Sequence, residues 1–145
     1  MYPCKVTIGF ENGTYTFLNA EAAFQACKNP NEVEHFLNVD GFEAKRIGRK
    51  IKLLDSKEEW NARRDTCMEL VVKAKFEQNP DLMRKLLKID GEIVEENTWK
   101  DGYWGKYQVF DHKEEQTLTP VFKLVGENKL GQILMRVRDA HKKME

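Results

Sequence analysis

The chain has 145 residues, of which 24 are basic and 24 acidic, so its formal net charge at pH 7 is zero. This length fits a single domain over residues 1–145, large enough to fold without a disulfide or a metal. A zero net charge provides no long-range attraction for a nucleic-acid backbone, so extended nucleic-acid binding is disfavoured.

The cysteines and the apolar segments indicate a cytoplasmic location. Cys4, Cys27 and Cys67 are odd in number and widely spaced, so we expect reduced thiols and no disulfide framework. The first residues lack the long apolar stretch of a secretory signal. No apolar run approaches the roughly 20 residues that span a bilayer. We therefore predict a cytoplasmic protein with no membrane partner.

The N-terminal segment predicts a β-hairpin followed by a helix. Asn12-Gly13 lies between two β-rich runs, which is the strongest short-range signal for a hairpin over residues 4–17. Asn19 can cap a helix whose apolar residues recur at helical spacing over about residues 20–28. Asn29-Pro30 then ends this helix.

The middle of the chain predicts four further helices. Two short helices should cover about residues 32–37 and 40–48, the second with a possible capping box at its start. A clearer capping box at Ser56 predicts a long helix to about residue 78. The residues of this helix expected to face inward are Trp60, Cys67, Met68, Val71 and Val72. Pro80 suits the first position of the next helix, which should end before residue 90, because its missing N–H is harmless there.

The last third predicts short strands and a final helix. Residues 93–95 indicate a short strand, and residues 107–124 one or two strands with a polar loop at 111–116. Asn128 should begin the last helix, with Leu130, Ile133, Leu134 and Val137 facing inward. Together the elements predict one α+β domain, rich in helices around a small antiparallel sheet.

The loop over residues 98–106 has the most unusual composition. It contains Trp99 and Trp104 with glycines and Asp101, and it follows neither helical nor strand periodicity. Aromatic faces in irregular backbone can stack on a base, and a carboxylate beside an indole can be tuned for acid–base work. The alternative interpretation is that the two tryptophans only anchor the loop by packing.

Glu21, Lys28 and Arg49 are charged residues with two interpretations each. Glu21 and Lys28 lie seven residues apart, about two helical turns, so they share a helix face. They are candidates for catalysis, or they simply occupy favourable positions in the helix dipole. Arg49 belongs to a basic turn that can bind phosphate or can be a solvated run of charges.

Several enzyme classes find no support in the sequence. The motifs of dinucleotide-binding folds, P-loop enzymes, zinc proteases and serine hydrolases are all absent. His35, His112 and His141 lie far apart and lack metal-ligand spacing. We expect no metal and no cofactor.

Six motifs occur in a fixed order along residues 2–139. They read Y-P-C, E-x-x-F-Q-A-x-K, G-R, a tryptophan followed by K-F-x-Q-N, E before D-x-x-W-G, and G-x-N-x-L-G-x-x-L-M-x-x-R. The residues that carry them are Tyr2-Pro3-Cys4, Glu21 to Lys28 with Phe24, Gly48-Arg49, Trp60, Lys75 to Asn79, Glu96, Asp101, Trp104-Gly105, and Gly126 to Arg138 with Asn128. This order is similar to that of the NADAR superfamily, whose bacterial type is the YbiA-like proteins.

The resemblance implies a YbiA-like fold and an N-glycosidase that cleaves a C1′–N bond. The implied partner is a small ribosyl phosphate, such as the ribosylamino-pyrimidine phosphates of riboflavin synthesis, or an ADP-ribosyl substrate. ADP-ribosylated guanine in nucleic acid is the second substrate class. The implied catalytic residues are Glu21, Asp101 and Lys28, and the implied substrate-binding residues are Trp60, Trp104, Gly105, Arg49, Phe24 and Asn128.

The chain departs from the family pattern in three places. It begins at Tyr2 of Y-P-C without the usual F-L-S-N-F strand, Ala22 replaces a histidine, and residues 107–122 are longer and more polar. These departures predict an altered substrate or reduced activity. They keep two alternatives open: a non-catalytic module that binds ADP-ribose or a nucleotide, and a purely structural partner protein.

Overall fold

The structure is a computed structural model that describes residues 4–110 and 122–144. It divides into two compact units, Met1–Lys85 and Leu86–Glu145. The described strands pair as two antiparallel two-stranded sheets, β1 with β2 and β3 with β4, where the sequence predicts one small sheet. The elements in chain order are β1 (Val6–Phe10), β2 (Gly13–Phe17), α1 (Ala20–Ala26), a 3-10 helix (Pro30–Phe36), α2 (Gly41–Gly48), α3 (Lys57–Glu77), α4 (Pro80–Leu87), β3 (Tyr107–Phe110), β4 (Phe122–Val125) and α5 (Lys129–Met144).

The predicted N-terminal hairpin is confirmed, with its turn one residue earlier than the Asn-Gly pair. Phe10 pairs with Gly13, so the connecting residues are Glu11 and Asn12. Gly13 has a φ of +143°, and a Cβ there would lie 3.2 Å from the hydroxyl oxygen of Tyr15. The position therefore requires glycine, both for its backbone conformation and for space.

Three of the predicted helix starts in the first unit, at Asn19, Asp40 and Ser56, are confirmed by side-chain caps. In each case an oxygen of the residue before the helix accepts a hydrogen bond from a backbone N–H of the first turn, which would otherwise lack a partner. The first helix, however, ends at residue 26, two residues before the predicted end. The short 3-10 helix begins at Pro30, two residues before its predicted start. The capping bonds are Asn19 Oδ1 from Ala22 N at 2.8 Å, Asp40 Oδ1 from Glu43 N at 2.8 Å and Ser56 Oγ from Glu59 N at 3.1 Å.

The core of the first unit forms around α3, which packs against β1 and α1. Its predicted inward face is buried except at Cys67, which is partly exposed. The strand β1 contributes Val6 and Ile8, alternate residues on its inner face. The buried members of the α3 face are Trp60, Met68, Val71 and Val72.

The second unit contains α5 and the β3–β4 hairpin, in which Tyr107 pairs with Val125. Leu130, predicted to face inward, is half-buried. The predicted polar loop at residues 111–116 lies outside the described residues. No helix in the described parts of either unit is long and apolar enough to cross a membrane. The buried apolar side chains of α5 are Ile133, Leu134 and Val137.

The predicted strand over residues 93–95 is wrong, because the side chain of Asn128 uses the backbone groups that a strand would pair. Asn128 Oδ1 accepts a hydrogen bond from Glu95 N at 2.9 Å, and its Nδ2 donates to Ile93 O at 2.9 Å. The side chain is 3% exposed, and its φ of +55° is tolerated by asparagine better than by most residues. The amide thus bonds both Ile93 and Glu95, and among the described residues the backbone pairs further only at Glu95 O, which accepts from Lys106 N at 2.8 Å beside an isolated bridge between Glu96 and Lys106.

We expect Asn128→Gly to lower the free energy of unfolding by about 2 kcal/mol, because two buried hydrogen bonds are lost while glycine retains the positive φ. Urea denaturation measures this change. The matched control is Asn38→Gly, which removes an exposed amide from a turn and includes the same gain in unfolded-chain entropy. Equal losses in the two variants would contradict a structural role for the Asn128 amide.

Candidate active site

The structure brings three polar side chains and one backbone carbonyl of the first unit together around α1. Glu21 lies in the first turn of α1 and is 7% exposed. Its Oε1 accepts a hydrogen bond from Gln25 Nε2 at 3.2 Å, one helical turn away. Lys28 lies just beyond the end of α1, and its Nζ donates to Gly48 O at 3.3 Å. We call Glu21, Gln25, Lys28 and the Gly48 carbonyl the α1 polar cluster.

Gln25 is a member of this cluster that the sequence prediction did not assign to the site. Its Oε1 is buried and has no hydrogen-bond partner among the described atoms. A Cβ added at Gly48 would lie 2.0 Å from that oxygen and 2.8 Å from the Gln25 Cδ. Gly48 therefore lets α2 approach α1 closely enough for its carbonyl to reach Lys28. The signal for Gln25 is its position four residues after Glu21 on one helix face.

The electrostatics of the cluster centre on Lys28. Burial lowers the pKa of the Lys28 ammonium below its ordinary value, because removing a charge from water disfavours the charged form. The negative charge of Glu21 opposes this decrease, and the positive charge of Arg49 adds to it. Arg49 is itself exposed at the end of α2. Glu21, Lys28 and Arg49 thus form one electrostatic group, while their predicted roles in catalysis and phosphate binding stay predictions.

Phe24 and Trp60 lie together in a packed aromatic cluster. Trp60 is 7% exposed, and its ring centroid lies 5.6 Å from that of Phe24, with the planes tilted by 45°. The guanidinium carbon of Arg63 lies 4.8 Å from the indole centroid, within the range of a cation–π contact. These contacts fix the two rings, while their predicted binding of substrate stays a prediction.

Arg63 is a second residue that the sequence prediction missed. Its Nε lies 2.6 Å from Asp55 Oδ2, its Nη2 donates to Cys27 O at 3.0 Å, and its Nη1 donates to Cys67 Sγ at 3.3 Å. The available signal is the spacing of Trp60, Arg63 and Cys67 on α3, at intervals of three and four residues. Such spacing places all three side chains on one helix face.

In the second unit, Asp101 organises the turn that carries Trp104. Asp101 Oδ1 accepts hydrogen bonds from Tyr103 N and Trp104 N, each at 3.0 Å. The side chain of Asn97 bonds both backbone groups of Asp101. Its Oδ1 accepts from Asp101 N at 2.9 Å, and its Nδ2 donates to Asp101 O at 3.0 Å. One carboxylate oxygen of Asp101 thus holds the backbone of the loop. The predicted catalytic role of Asp101 stays a prediction.

The other predicted residues of the second unit have clear structural contacts. A Cβ at Gly105 would lie 2.2 Å from Glu95 O, a backbone atom that cannot move aside, so glycine is required there. The Trp104 ring meets Tyr103 edge to face at 4.8 Å. The oxygen and nitrogen of the Asn128 amide both hydrogen-bond the backbone of residues 93–95. Substrate contact by Trp104, Gly105 and Asn128 stays a prediction.

A surface cavity of about 320 Å³ lies elsewhere in the first unit, between Cys4 and the N-terminal end of α4. Its lining includes Gln78, Asn79 and Lys85, and it contains no residue of the predicted site. Within residues 4–110 and 122–144, no three His, Cys, Asp or Glu side chains form a group that could hold a metal ion. The α1 polar cluster is the place in the first unit where the predicted residues Glu21 and Lys28 come together.

Comparison with known proteins gives consistent matches. The NADAR domain family model matches residues 1–141. A riboflavin biosynthesis protein of Vibrio vulnificus is 30% identical over 141 residues, 95% of this chain and 33% of that protein. An N-glycosidase of Acanthamoeba polyphaga mimivirus is 35% identical over 65 residues, 45% of this chain and 36% of the relative. The chain thus spans about a third of the length of these two curated relatives.

A solved structure supports the same assignment. The NMR structure of Escherichia coli YbiA matches with a TM-score of 0.66 and 28% identity, over 96% of this chain and 76% of that one. The helix-rich α+β fold with small antiparallel sheets is therefore YbiA-like, as the sequence predicts. With the family model covering nearly the whole chain, the protein belongs to the NADAR domain family.

The close approach at Gly48 makes a prediction about the α1 polar cluster. We expect Gly48→Ala to lower the free energy of unfolding by about 1–3 kcal/mol, because the new methyl group must displace the buried Gln25 amide. In a Gln25→Ala background, the same substitution should cost less, since the displaced group is absent. A double-mutant cycle followed by urea denaturation measures this coupling.

Gly9→Ala is the matched control. A Cβ there would meet only Thr14 Oγ1, at an ordinary 3.7 Å, so stability should fall little or not at all. Additive effects of Gly48→Ala and Gln25→Ala would contradict the contact between α1 and α2.

Proposed function

We propose that the chain is an N-glycosidase that hydrolyses the bond between ribose C1′ and a base-like nitrogen. The observation that carries this proposal is the buried carboxylate of Glu21, positioned by Gln25 and electrostatically coupled to Lys28. A buried carboxylate beside a half-buried amine is typical of acid–base and nucleophilic chemistry. The family membership and the N-glycosidase name of the mimivirus relative give independent support.

Glu21 meets the main electrostatic demand of this reaction. Breaking a C1′–N bond builds positive charge on the ribose ring, as in other glycoside cleavages. A fixed carboxylate in a site shielded from water stabilises such charge far better than bulk solvent does. In our proposal Glu21 stabilises the ribose cation and orients the attacking water, with Gln25 holding the carboxylate in place.

Lys28 can act in two chemically distinct ways. As an ammonium it would bind the phosphate of the substrate. As a neutral amine it would attack C1′ of the ring-opened ribosyl imine, expel the base as an amine and form a Schiff base on Nζ, which water then hydrolyses. The lowered pKa of Lys28 increases the neutral fraction near neutral pH. The amine role follows more directly from the half-buried position. Asp101 is the second carboxylate that the resemblance implies, and with Glu21 in the charge role it would serve the leaving-group side, which is a separate prediction.

We propose a small ribosyl phosphate, such as a ribosylamino-pyrimidine phosphate, as the substrate class. The zero net charge of the chain supports a small molecule over a long nucleic-acid contact. The name of the Vibrio vulnificus relative, a riboflavin biosynthesis protein, agrees with this class. ADP-ribosylated guanine in DNA is the second substrate to test. A module that only binds ADP-ribose is the remaining alternative.

The carboxylate role predicts that Glu21→Gln lowers kcat for ribosylamino-pyrimidine phosphate hydrolysis by roughly 1000-fold, about 4 kcal/mol of transition-state stabilisation. The substitution keeps an oxygen that can accept the bond from Gln25 and removes only the charge. Glu58→Gln, at an exposed position in the first turn of α3, is the matched control and should retain wild-type activity. Released base is measured chromatographically.

Three other outcomes would change the proposal. If the wild type releases no base from the ribosylamino-pyrimidine phosphate or from ADP-ribosylated DNA, the glycosidase assignment fails. If Glu21→Gln equals the wild type, the carboxylate role is wrong. If calorimetry shows tight ADP-ribose binding with no base released, the chain is a binding module.

The amine role predicts that cyanoborohydride traps substrate covalently on Lys28. Adduct yield should rise with pH and reach its plateau below the ordinary lysine value of 10.5, because the lowered pKa makes the amine neutral earlier. Lys28→Arg should form no adduct and should lose activity, while Lys50→Arg, exposed near the end of α2, should behave as wild type. Full activity of Lys28→Arg would show that the residue acts only as a cation.

A further inference from the structure

Two cysteines of the first unit lie in contact, although they are 40 positions apart in the chain. Cys27 follows the last residue of α1 and is 6% exposed. Cys67 lies on α3 and is partly exposed. Their side chains interact, and Arg63 contacts both residues, donating to Cys27 O at 3.0 Å and to Cys67 Sγ at 3.3 Å. Both thiols are free. We propose that Cys27 and Cys67 are a peroxide-sensitive dithiol, in which Cys67 is oxidised first and Cys27 then closes a disulfide.

The positions of the two thiols assign their roles. The partly exposed Cys67 can meet a small oxidant, whereas the buried Cys27 cannot. The Cys27 thiol has one proton and two possible acceptors for it. One is Ala23 O, 3.3 Å from its Sγ, and the other is the sulfur of Cys67. Cys27 can therefore donate to a Cys67 thiolate without leaving its position. This arrangement matches that of reactive cysteines beside a resolving cysteine.

Arg63 provides the cation that a thiolate needs. Its Nη1 donates to Cys67 Sγ at 3.3 Å, while Asp55 and Cys27 O hold the same guanidinium through Nε and Nη2. A hydrogen bond from Cys27 lowers the pKa of Cys67 to about 6, burial opposes this, and the charge of Arg63 supports it. The same contact and burial raise the pKa of Cys27 above its ordinary value.

The reaction balances with hydrogen peroxide as the oxidant. The Cys67 thiolate attacks one peroxide oxygen, the O–O bond breaks, and sulfenic acid and hydroxide form. Cys27 then attacks the Cys67 sulfur, its proton joins the departing hydroxyl group, and water leaves. The products are one disulfide, one water and one hydroxide from a thiolate, a thiol and one peroxide. Closure of the disulfide brings the two sulfurs to a bond of about 2.05 Å.

The experiment treats the intact protein with one equivalent of hydrogen peroxide, blocks remaining thiols with iodoacetamide, and maps the linkage by mass spectrometry. The expected result is a Cys27–Cys67 linked peptide that has lost two hydrogens, with Cys4 alkylated. Cys4→Ser should form the same link. Cys27→Ser should stop at a sulfenic acid on Cys67, which dimedone traps. Peroxide that oxidises Cys4 first, or leaves all three thiols alkylated, would overturn the proposal.

A pH profile provides a second readout that does not depend on the variants folding. At pH 7 a thiol of pKa 6 is about 30-fold richer in thiolate than an ordinary thiol. Its lower nucleophilicity offsets much of this gain, so the midpoint of the profile is more informative than one rate. Because Cys27, Arg63 and Asp55 are the ionisable groups in this contact, Cys67 alkylation should have a midpoint near pH 6. A midpoint near the ordinary thiol value would contradict the role of Arg63 and Cys27.

Both readouts are independent of the proposed hydrolase activity. If hydrolysis of the ribosyl phosphate is observed, oxidised protein should lose activity and dithiothreitol should restore it, since Cys27 adjoins Lys28. If no hydrolysis is found, the disulfide mapping and the pH profile still decide whether the dithiol reacts as proposed.

Discussion

Helix α1 is buried along its whole length, and this places two polar side chains, Glu21 and Gln25, inside the first unit. Burial of a carboxylate is costly unless its oxygens have partners. The structure compensates with the hydrogen bond from Gln25 Nε2 and with the charge of Lys28. Gly48 also contributes, because the Gln25 amide occupies the space that a side chain at this position would need. Helix packing and site chemistry therefore depend on the same contacts.

Arg63 links the aromatic cluster of Phe24 and Trp60 to the Cys27–Cys67 dithiol, a link that no sequence pattern reveals. Its guanidinium covers the Trp60 ring and at the same time bonds Asp55, the Cys27 carbonyl and the Cys67 sulfur. Arginine suits this position because its planar group offers donors in several directions and a flat face for stacking. Lysine has a single charged point and would not maintain these contacts together. The aromatic cluster and the dithiol thus share one positioning group.

Features that depend on local sequence were predicted well. The hairpin and the caps at Asn19, Asp40 and Ser56 each involve residues within a few positions of one another, so their side-chain chemistry can be read directly. The strand over residues 93–95 was predicted wrongly because Ile93 O and Glu95 N bond a side chain more than 30 positions away. No local pattern distinguishes backbone bonded by a strand from backbone bonded by a distant amide.

The candidate site shows the same division between local and distant contacts. Glu21 and Lys28 were predicted to act together from their helical spacing, and their charges do interact. Gln25 was overlooked because glutamine carries no charge, and its importance arises only from burial and from its contact with Gly48. Arg63 was overlooked because its partners Asp55 and Cys27 come from separate segments. Helical spacing alone could have placed it beside Trp60 and Cys67, but it could not have revealed the contact with α1.

The connection between the dithiol and the proposed chemistry is short and passes through the backbone. Cys27 and Lys28 are consecutive; the Cys27 carbonyl is bonded to Arg63, and the Lys28 carbonyl accepts from Leu54 N at 3.1 Å. A covalent bond from Cys27 to α3 would act on the residue next to Lys28, so we expect it to displace the Lys28 side chain. Glu21 lies near the other end of α1, and Gln25 holds it independently. Oxidation should therefore disturb the step that uses Lys28 while leaving the carboxylate in place.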